Sequence, residues 1–157
     1  MAADATIREA TPADAARLAE LRYEFRSALR PAVEQREAFI GRCARWMRSR
    51  LAADWKCWVA CCEEEIVGQI WLHLIEKLPN PGGESERHGY ITNVYVKPEF
   101  RGGVGGKLLA EAVEWANRQG IDAIILWPTP RSRSLYLRHG FQLPADLLEL
   151  RRPKGGK

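Results

Sequence analysis

The residues with the clearest chemical potential are the four glycines in the six-residue stretch Arg101–Gly106. They follow the run Tyr90–Val96, whose β-branched and aromatic residues favour a strand that Pro98 closes. A strongly helical sequence then runs from Lys107 to Gln119. A glycine-rich turn that opens a helix leaves several backbone N–H groups pointing one way, and the helix dipole adds partial positive charge there. The stretch therefore predicts an anion site suited to phosphate.

The elements that must position this stretch follow from hydrophobic periodicity. Thr11 as N-cap, with Asp14 completing a capping box, predicts the start of a helix, and the acidic turn Glu63–Glu65 predicts a hairpin. Ile121–Trp127 is almost continuously apolar, as expected of a strand buried on both faces. The predicted elements are strand Ala5–Glu9, helices after Thr11 and over Val33–Leu51, strands Trp55–Cys62, Ile66–Ile75 and Tyr90–Val96, helix Lys107–Gln119, strand Ile121–Trp127, helix Arg131–His139 and strand Phe141–Leu150.

Length and composition predict one domain. At 157 residues the chain is expected to form a single domain over 1–157, with a core at about 5–150 and a flexible tail over 151–157. The longest apolar run, Cys57–Cys62, is far shorter than the ~20 residues that span a bilayer, and the amino terminus lacks the apolar core of a signal peptide. We therefore expect a cytoplasmic location and no membrane association.

Charge and cysteine spacing argue against two further classes. The net charge is only +4, and no basic stripe is interleaved with aromatic residues, so we expect no nucleic-acid partner. Cysteines at 43, 57, 61 and 62 form no CxxC pair, and histidines at 73, 88 and 139 form no zinc spacing, so we expect no metal.

Two motifs in this order and spacing resemble the GNAT superfamily of N-acyltransferases. The first is the strand followed by PEFRGGVGGKLL, and the second, some 25 residues later, is SLYLRHGF. Between Arg101 and Gly103–Gly105 the loop is one residue shorter than the common family pattern. The resemblance implies an α/β (mixed α+β) fold, in which about four helices flank a central mixed, mostly antiparallel and partly splayed sheet.

The resemblance also implies that acetyl-CoA binds in a V-shaped opening between the strand ending near Val96 and the one ending near Trp127. Backbone groups of the first strand would pair with the pantetheine arm, and the glycine loop would wrap the pyrophosphate. The positions so implied are Val94, Tyr95, Val96, Arg101, Gly102, Gly103, Val104, Gly105, Gly106 and Lys107.

Amide formation from a thioester adds a requirement for proton transfer. Tyr136 matches the family tyrosine that protonates the departing CoA sulfur, and its phenol, with a pKa of about 10, suits that task. Thr129 stands where the family often has asparagine. Thr92 and Asn93 cannot serve as the general base. The candidates for that role are Glu24, Glu76, His88 and a water chain.

The resemblance implies that the first two helices and the proline-rich loop Leu78–Gly89 shape the acceptor pocket, with Glu24 and Phe25 facing a cleft. An acidic residue near the mouth of this cleft would weakly favour a cationic amine. Tryptophans that could line it are Trp46, Trp58, Trp71 and Trp127. The predicted function is N-acetyl transfer to a primary amine of a small molecule or protein by direct attack in a ternary complex. The alternative is a non-catalytic acyl-CoA-binding or sensing module. Homodimers are common in the family, so a homodimer is a candidate assembly.

Overall fold

A computed structural model describes residues 4–153. In this part of the chain, a strand is followed by two helices, three strands, a helix, a strand and a last helix. They are β1 (Thr6–Glu9), α1 (Ala15–Leu29), α2 (Arg36–Leu51), β2 (Trp55–Cys62), β3 (Glu65–Glu76), β4 (Arg87–Val96), α3 (Val104–Arg118), β5 (Ala123–Ile125) and α4 (Arg133–Arg138). Short 3-10 turns over Pro12–Asp14 and Pro98–Phe100 precede α1 and the glycine loop.

The five strands form one sheet in the order β1-β2-β3-β4-β5. Neighbours from β1 to β4 are antiparallel, and only β4 and β5 are parallel. The β2–β3 turn is tight, with Glu63 in the left-handed region at φ 55°. The α+β class and the mixed, mostly antiparallel sheet predicted from the sequence are confirmed.

Helices cover both faces of the sheet. On one face, α1 and α2 pack on Cys57, Val59 and Trp71. On the other, Trp58, the neighbour of Cys57 on β2, meets Trp115 of α3 edge-on at 5.6 Å between ring centroids. The side chains alternate between faces because successive residues of a strand point in opposite directions.

A bulge in β4 and the short length of β5 shape one end of the sheet. Gln69 of β3 faces Tyr95 and Trp71 faces Thr92, so two residues of β4, Asn93 and Val94, stand against one residue of β3. Asn93 has φ 54°, the left-handed conformation that a bulge needs and that asparagine tolerates better than most residues. β5 pairs only with the stretch 88–90 of β4. Beyond Tyr90, no described strand lies beside β4 on that side, which confirms the predicted partly splayed sheet.

Three boundaries differ from those predicted. α3 begins at Val104, not at Lys107, because Gly103 serves as N-cap at φ 111° and Val104 is buried, which anchors the first turn. α2 begins at Arg36, and not at Val33, which is fully exposed. β5 has three residues, and they are exposed or half-buried, so the predicted strand over Ile121–Trp127, buried on both faces, was wrong.

The chain divides into two compact units, one ending at Trp127 and the other beginning at Pro128. The second unit contains α4, which starts with reciprocal bonds: the Thr129 N–H donates to Ser132 Oγ at 3.0 Å, and the Ser132 N–H donates to Thr129 Oγ1 at 3.2 Å. The predicted strand over Phe141–Leu150 is absent. Pro144 removes a ladder donor in its middle, and four leucines of the segment are exposed. Of the predicted tail, residues 151–153 are exposed coil and the remainder lies outside the described residues.

Candidate active site

The glycine loop joins the end of β4 to α3. Gly102 and Gly103 adopt φ of 117° and 111°, a region that side-chain-bearing residues rarely occupy, and a Cβ at either position would meet nothing within 4 Å. The space around them is therefore open. The glycines at these positions are required by backbone conformation and leave room for close approach of another group.

The first turn of α3 leaves its backbone donors free. No side chain caps Gly103, and the first helical bond in this turn is from the Lys107 N–H to Gly103 O at 3.1 Å. The N–H groups of the preceding helical residues, Val104, Gly105 and Gly106, have no acceptor within the helix. Together with the dipole of a 15-residue helix, they supply the donors that the predicted anion site requires.

Arg101 is held at the end of β4 and not over the loop. Its Nε donates to Val96 O at 3.0 Å, and its guanidinium lies over the Tyr95 ring at 6.0 Å from the centroid. Arg101 therefore fixes the junction between strand and loop. Lys107 is exposed on the first turn of α3.

The carboxyl half of β4 presents an open edge just before the loop. Val94 is half-buried, while Tyr95 and Val96 are buried. Tyr95 stacks on Phe25 of α1, with 5.1 Å between centroids and 9° between ring planes. Burial and the nearby Glu24 carboxylate raise the pKa of the Tyr95 phenol. Glu24 and Phe25 thus lie beside Tyr95, on the helix side of β4.

A pocket of about 380 Å³ adjoins the bulge. Its walls come from α1, α2 and strands β2 to β4, and they combine aromatic side chains with two arginines. The lining residues are Arg22, Phe39, Arg42, Cys43, Trp46, Met47, Trp55, Trp71, Tyr90, Thr92 and Asn93. Glu24 and Phe25, the predicted acceptor residues, are not among them.

Arg22 ties the pocket to the bulge. Its Nη1 donates to Asn93 Oδ1 at 3.2 Å, and burial lowers the pKa of its guanidinium, which still remains a cation at neutral pH. Sequence reasoning missed this residue. The available signal was its position four residues after Leu18, on the inward face of α1.

The predicted tryptophans divide between different environments. Trp46 and Trp71 line the pocket, whereas Trp58 packs against Trp115 on the other face. Trp127 meets Tyr90 edge-on at 5.3 Å, at the point where β5 and β4 separate. Trp55, which was not among the predicted residues, completes the pocket wall.

The remaining candidates for proton transfer lie in three places. Tyr136 lies on α4 and is buried, with its ring edge-on to Phe141 at 5.7 Å. Burial raises the pKa of its phenol, and a hydrogen bond with the Ser132 side chain partly opposes that rise. His88 belongs to the part of β4 that is paired with β5, and Glu76 is exposed at the end of β3.

The fold is that of an acyltransferase. The chain belongs to the Acetyltransferase (GNAT) family, which it matches over residues 17–141. This confirms the resemblance and the prediction that the protein is an enzyme of the acyltransferase class.

Individual relatives agree with this assignment. The chain is 33% identical over 117 residues to aminoglycoside N(6')-acetyltransferase type 1 of Stenotrophomonas maltophilia, covering 73% of this chain and 69% of that protein. It is similar to the crystal structure of a predicted acetyltransferase with acetyl-CoA from Clostridium acetobutylicum, with a TM-score of 0.73, 26% identity, and 94% and 96% of the two chains covered. A GCN5-related N-acetyltransferase from Ralstonia eutropha gives a TM-score of 0.71, 26% identity, and coverage of 97% and 99%.

Residues 4–153 contain no group of three or more histidine, cysteine, aspartate or glutamate side chains placed to hold a metal ion. No helix in that range combines the length and the apolar character needed to cross a membrane.

Proposed function

We propose that this protein transfers the acetyl group of acetyl-CoA to a primary amine of a small molecule by direct attack in a ternary complex. One observation carries the proposal: the open edge of β4 leads directly into the glycine loop and the free donors of α3. An extended arm that ends in a pyrophosphate matches that sequence of features. The relative named as an aminoglycoside N(6')-acetyltransferase supports a small-molecule amine as acceptor.

Acetyl-CoA would bind along this path in two parts. The pantetheine amides would pair with backbone groups of Val94, Tyr95 and Val96, as a further strand does. The pyrophosphate would accept hydrogen bonds from N–H groups between Gly102 and Lys107. Only a loop without side chains lets the backbone approach two phosphates closely, and the open space at Gly102 and Gly103 meets that need.

The chemical step exchanges a C–S bond for a C–N bond. The lone pair of the neutral amine attacks the thioester carbonyl carbon, the C–S bond breaks, and sulfur leaves with its electron pair and receives a proton. The attacking amine loses one proton to a base. A lysine-like amine with a pKa near 10.4 is neutral in only about 1 of 2,500 molecules at pH 7, which adds roughly 4–5 kcal/mol to the barrier unless a base or the pocket offsets it.

Tyr136 is our candidate for the general acid. A buried phenol whose pKa is raised keeps its proton at neutral pH, which is the state needed to protonate a leaving thiolate. Glu24, Glu76, His88 and a water chain remain the candidates for the base. The backbone N–H of Val94 or Tyr95 would polarise the carbonyl oxygen.

The first test is a calorimetric titration of acetyl-CoA and CoA into the wild type and into Gly103→Asp. Gly120→Asp is the matched control, because Gly120 lies at the other end of α3, also has positive φ (65°) and also has open space around it. We expect micromolar binding that is lost in Gly103→Asp and kept in Gly120→Asp. Binding that survives Gly103→Asp, or a folded wild type that binds neither compound, would refute the proposed donor site.

A second candidate function is a non-catalytic acyl-CoA sensor. It is favoured by Thr92 and Asn93, which line the pocket beside the bulge and cannot act as bases. Release of CoA thiol in the presence of an amine panel separates the two functions, since a sensor binds acetyl-CoA without turnover. The cytoplasmic location and the homodimer stay predictions.

A further inference from the structure

Arg22 is a half-buried cation in the pocket wall without a carboxylate partner among the described residues. Its side chain donates to the amide oxygen of Asn93. The titratable groups that act on its pKa are Arg26, Cys43 and Tyr90, and none of these is a carboxylate. A guanidinium has five donors in a planar fork that matches a carboxylate, and one neutral amide oxygen uses only part of it.

Arg42, the second arginine of the pocket, has a carboxylate partner among the described residues, unlike Arg22. Arg42 donates from Nε and Nη2 to the two oxygens of Glu34 at 3.2 and 2.7 Å. This bidentate pair compensates its charge. Arg22 is therefore the lining cation that remains to be matched by a ligand.

The surroundings of the pocket disfavour a polycationic ligand. α2, which supplies much of the lining, carries five arginines and one acidic residue. Arg42 already lies over the ring of Phe39 at 5.5 Å, and Arg50 lies over that of Trp46 at 5.6 Å. A cationic ligand would have to compete with these guanidinium groups for the aromatic faces.

We propose that the acceptor is an amino acid with a large apolar or aromatic side chain, whose carboxylate binds Arg22 and whose side chain fills the tryptophan-lined pocket. This inference rests on the proposed function and identifies the substrate class of the same site. It adds a carboxylate to the cationic amine that the sequence alone suggested.

The position of Arg22 explains why the carboxylate should be adjacent to the amine. Arg22 contacts Asn93, and the next residue, Val94, offers the N–H that would polarise the thioester carbonyl. Under the proposed function, an anion held by Arg22 would therefore lie near the reacting carbon. In an α-amino acid, the carboxylate and the amine share one carbon, so both groups fit this arrangement. The side chain then points toward Trp46, Trp55 and Trp71.

The catalytic test compares matched amines by release of CoA thiol. The pairs are phenylalanine with phenethylamine and tryptophan with tryptamine, and kanamycin serves as a polycationic amine. We expect the carboxylated member of each pair to have at least a 10-fold higher kcat/KM, and kanamycin to be inactive. Equal or better use of the decarboxylated amines, or of kanamycin, would overturn the inference while leaving the proposed function intact.

Substitutions of Arg22 and Arg26 test whether Arg22 causes the preference for the carboxylated amine. In Arg22→Gln, KM for the amino acid should rise about 10- to 100-fold, as expected for a lost hydrogen bond to a charged group. KM for acetyl-CoA should stay the same. Arg26→Gln, one turn further along α1 and exposed, removes the same charge outside the pocket and should keep the preference. An unchanged preference in folded Arg22→Gln would contradict the inference.

A binding experiment decides the inference even if acetyl-CoA does not bind. N-acetylphenylalanine and N-acetylphenethylamine are titrated separately, and intrinsic fluorescence of the pocket tryptophans reports occupancy. We expect the carboxylated compound to bind at least 10-fold more tightly to the wild type, and the two to bind equally to Arg22→Gln. Equal binding of the two compounds to the wild type would refute the inference, whereas failure of the proposed function would appear only in the acetyl-CoA titration.

Discussion

Gln69 is a fully buried polar side chain that joins three parts of the proposed site. Its Nε2 donates to the carbonyl oxygen of Leu18 on α1 at 3.1 Å, and its Oε1 accepts from Trp71 Nε1 at 2.8 Å. It also stands opposite Tyr95, directly after the bulge. Substitution of Gln69 by leucine keeps the approximate volume and removes both hydrogen bonds.

The expected cost follows from the groups left behind. The Trp71 side chain is buried, so its indole N–H would have no partner, which costs about 1–3 kcal/mol. Loss of the bond to the Leu18 carbonyl adds about 1 kcal/mol, because that oxygen lies within a helix that supplies a second donor. We therefore expect Gln69→Leu to lower the free energy of unfolding by about 2–4 kcal/mol, or Tm by roughly 5–12 °C.

A double-mutant cycle with Trp71→Phe separates the hydrogen bond from other effects. In the double variant, the unpaired indole N–H is absent, so the two substitutions together should cost about 1–2 kcal/mol less than the sum of the single ones. Urea unfolding, followed by circular dichroism, measures all four proteins. A cost below 1 kcal/mol for Gln69→Leu, or additive costs in the cycle, would refute the reasoning.

Three further predictions concern packing, catalysis and pH. Gly68→Ala should cost about 1–3 kcal/mol of unfolding free energy, because its Cβ would meet the Tyr95 carbonyl oxygen at 3.0 Å. Tyr136→Phe should lower kcat by about 10²- to 10⁴-fold with little change in KM for acetyl-CoA, and kcat of the wild type should persist to about pH 10, since burial raises the pKa of the phenol. The hydrogen bond from Arg8 lowers the pKa of the Asp14 carboxyl below its unfolded value of about 3.9. The stability that this pair contributes is therefore present above pH 4, and it is lost as the pH falls through the pKa of the folded state. Asp14→Asn should remove about 1 kcal/mol at pH 7 and flatten the acid limb of the stability curve.

Each of these three predictions has a control variant or a result that would contradict it. Gly89→Ala is the matched substitution in a neighbouring strand, where the nearest atom lies at an ordinary 3.4 Å, and it should cost less than Gly68→Ala. If kcat of Tyr136→Phe lies within about threefold of the wild-type kcat, Tyr136 is not the general acid. An acid limb unchanged in Asp14→Asn would show that other carboxylates set it.

The sequence predicted those parts of the fold that depend on local patterns. The predicted bounds of β2 were correct because its largely apolar sequence ends at the acidic turn Glu63–Glu65. The capping prediction at Thr11 was confirmed, since its N–H donates to Asp14 Oδ2 at 2.8 Å. The glycine loop was found because glycine at positive φ is a local requirement, visible in composition alone.

What was missed depends on contacts between distant segments. Glycines disfavour helices, so α3 was expected to start at Lys107, but burial of Val104 decides its start. The bulge at Asn93 arises from pairing with β3, so the sequence of β4 alone does not predict it. Arg22 was missed because its hydrogen-bond partner Asn93 is 71 residues away in the chain.

The bulge also reverses which side of β4 faces the helices. Tyr90 and Thr92 line the pocket, and Tyr95, of opposite parity, stacks on Phe25 of α1. The strand is thereby divided into a proposed acceptor half and a proposed donor half. Six of the eleven pocket residues come from α1 and α2, which supply none of the donor loop. Under the proposed function, replacement of that helical pair, by recombination in evolution or by grafting in the laboratory, would exchange the acceptor pocket and leave the glycine loop in place.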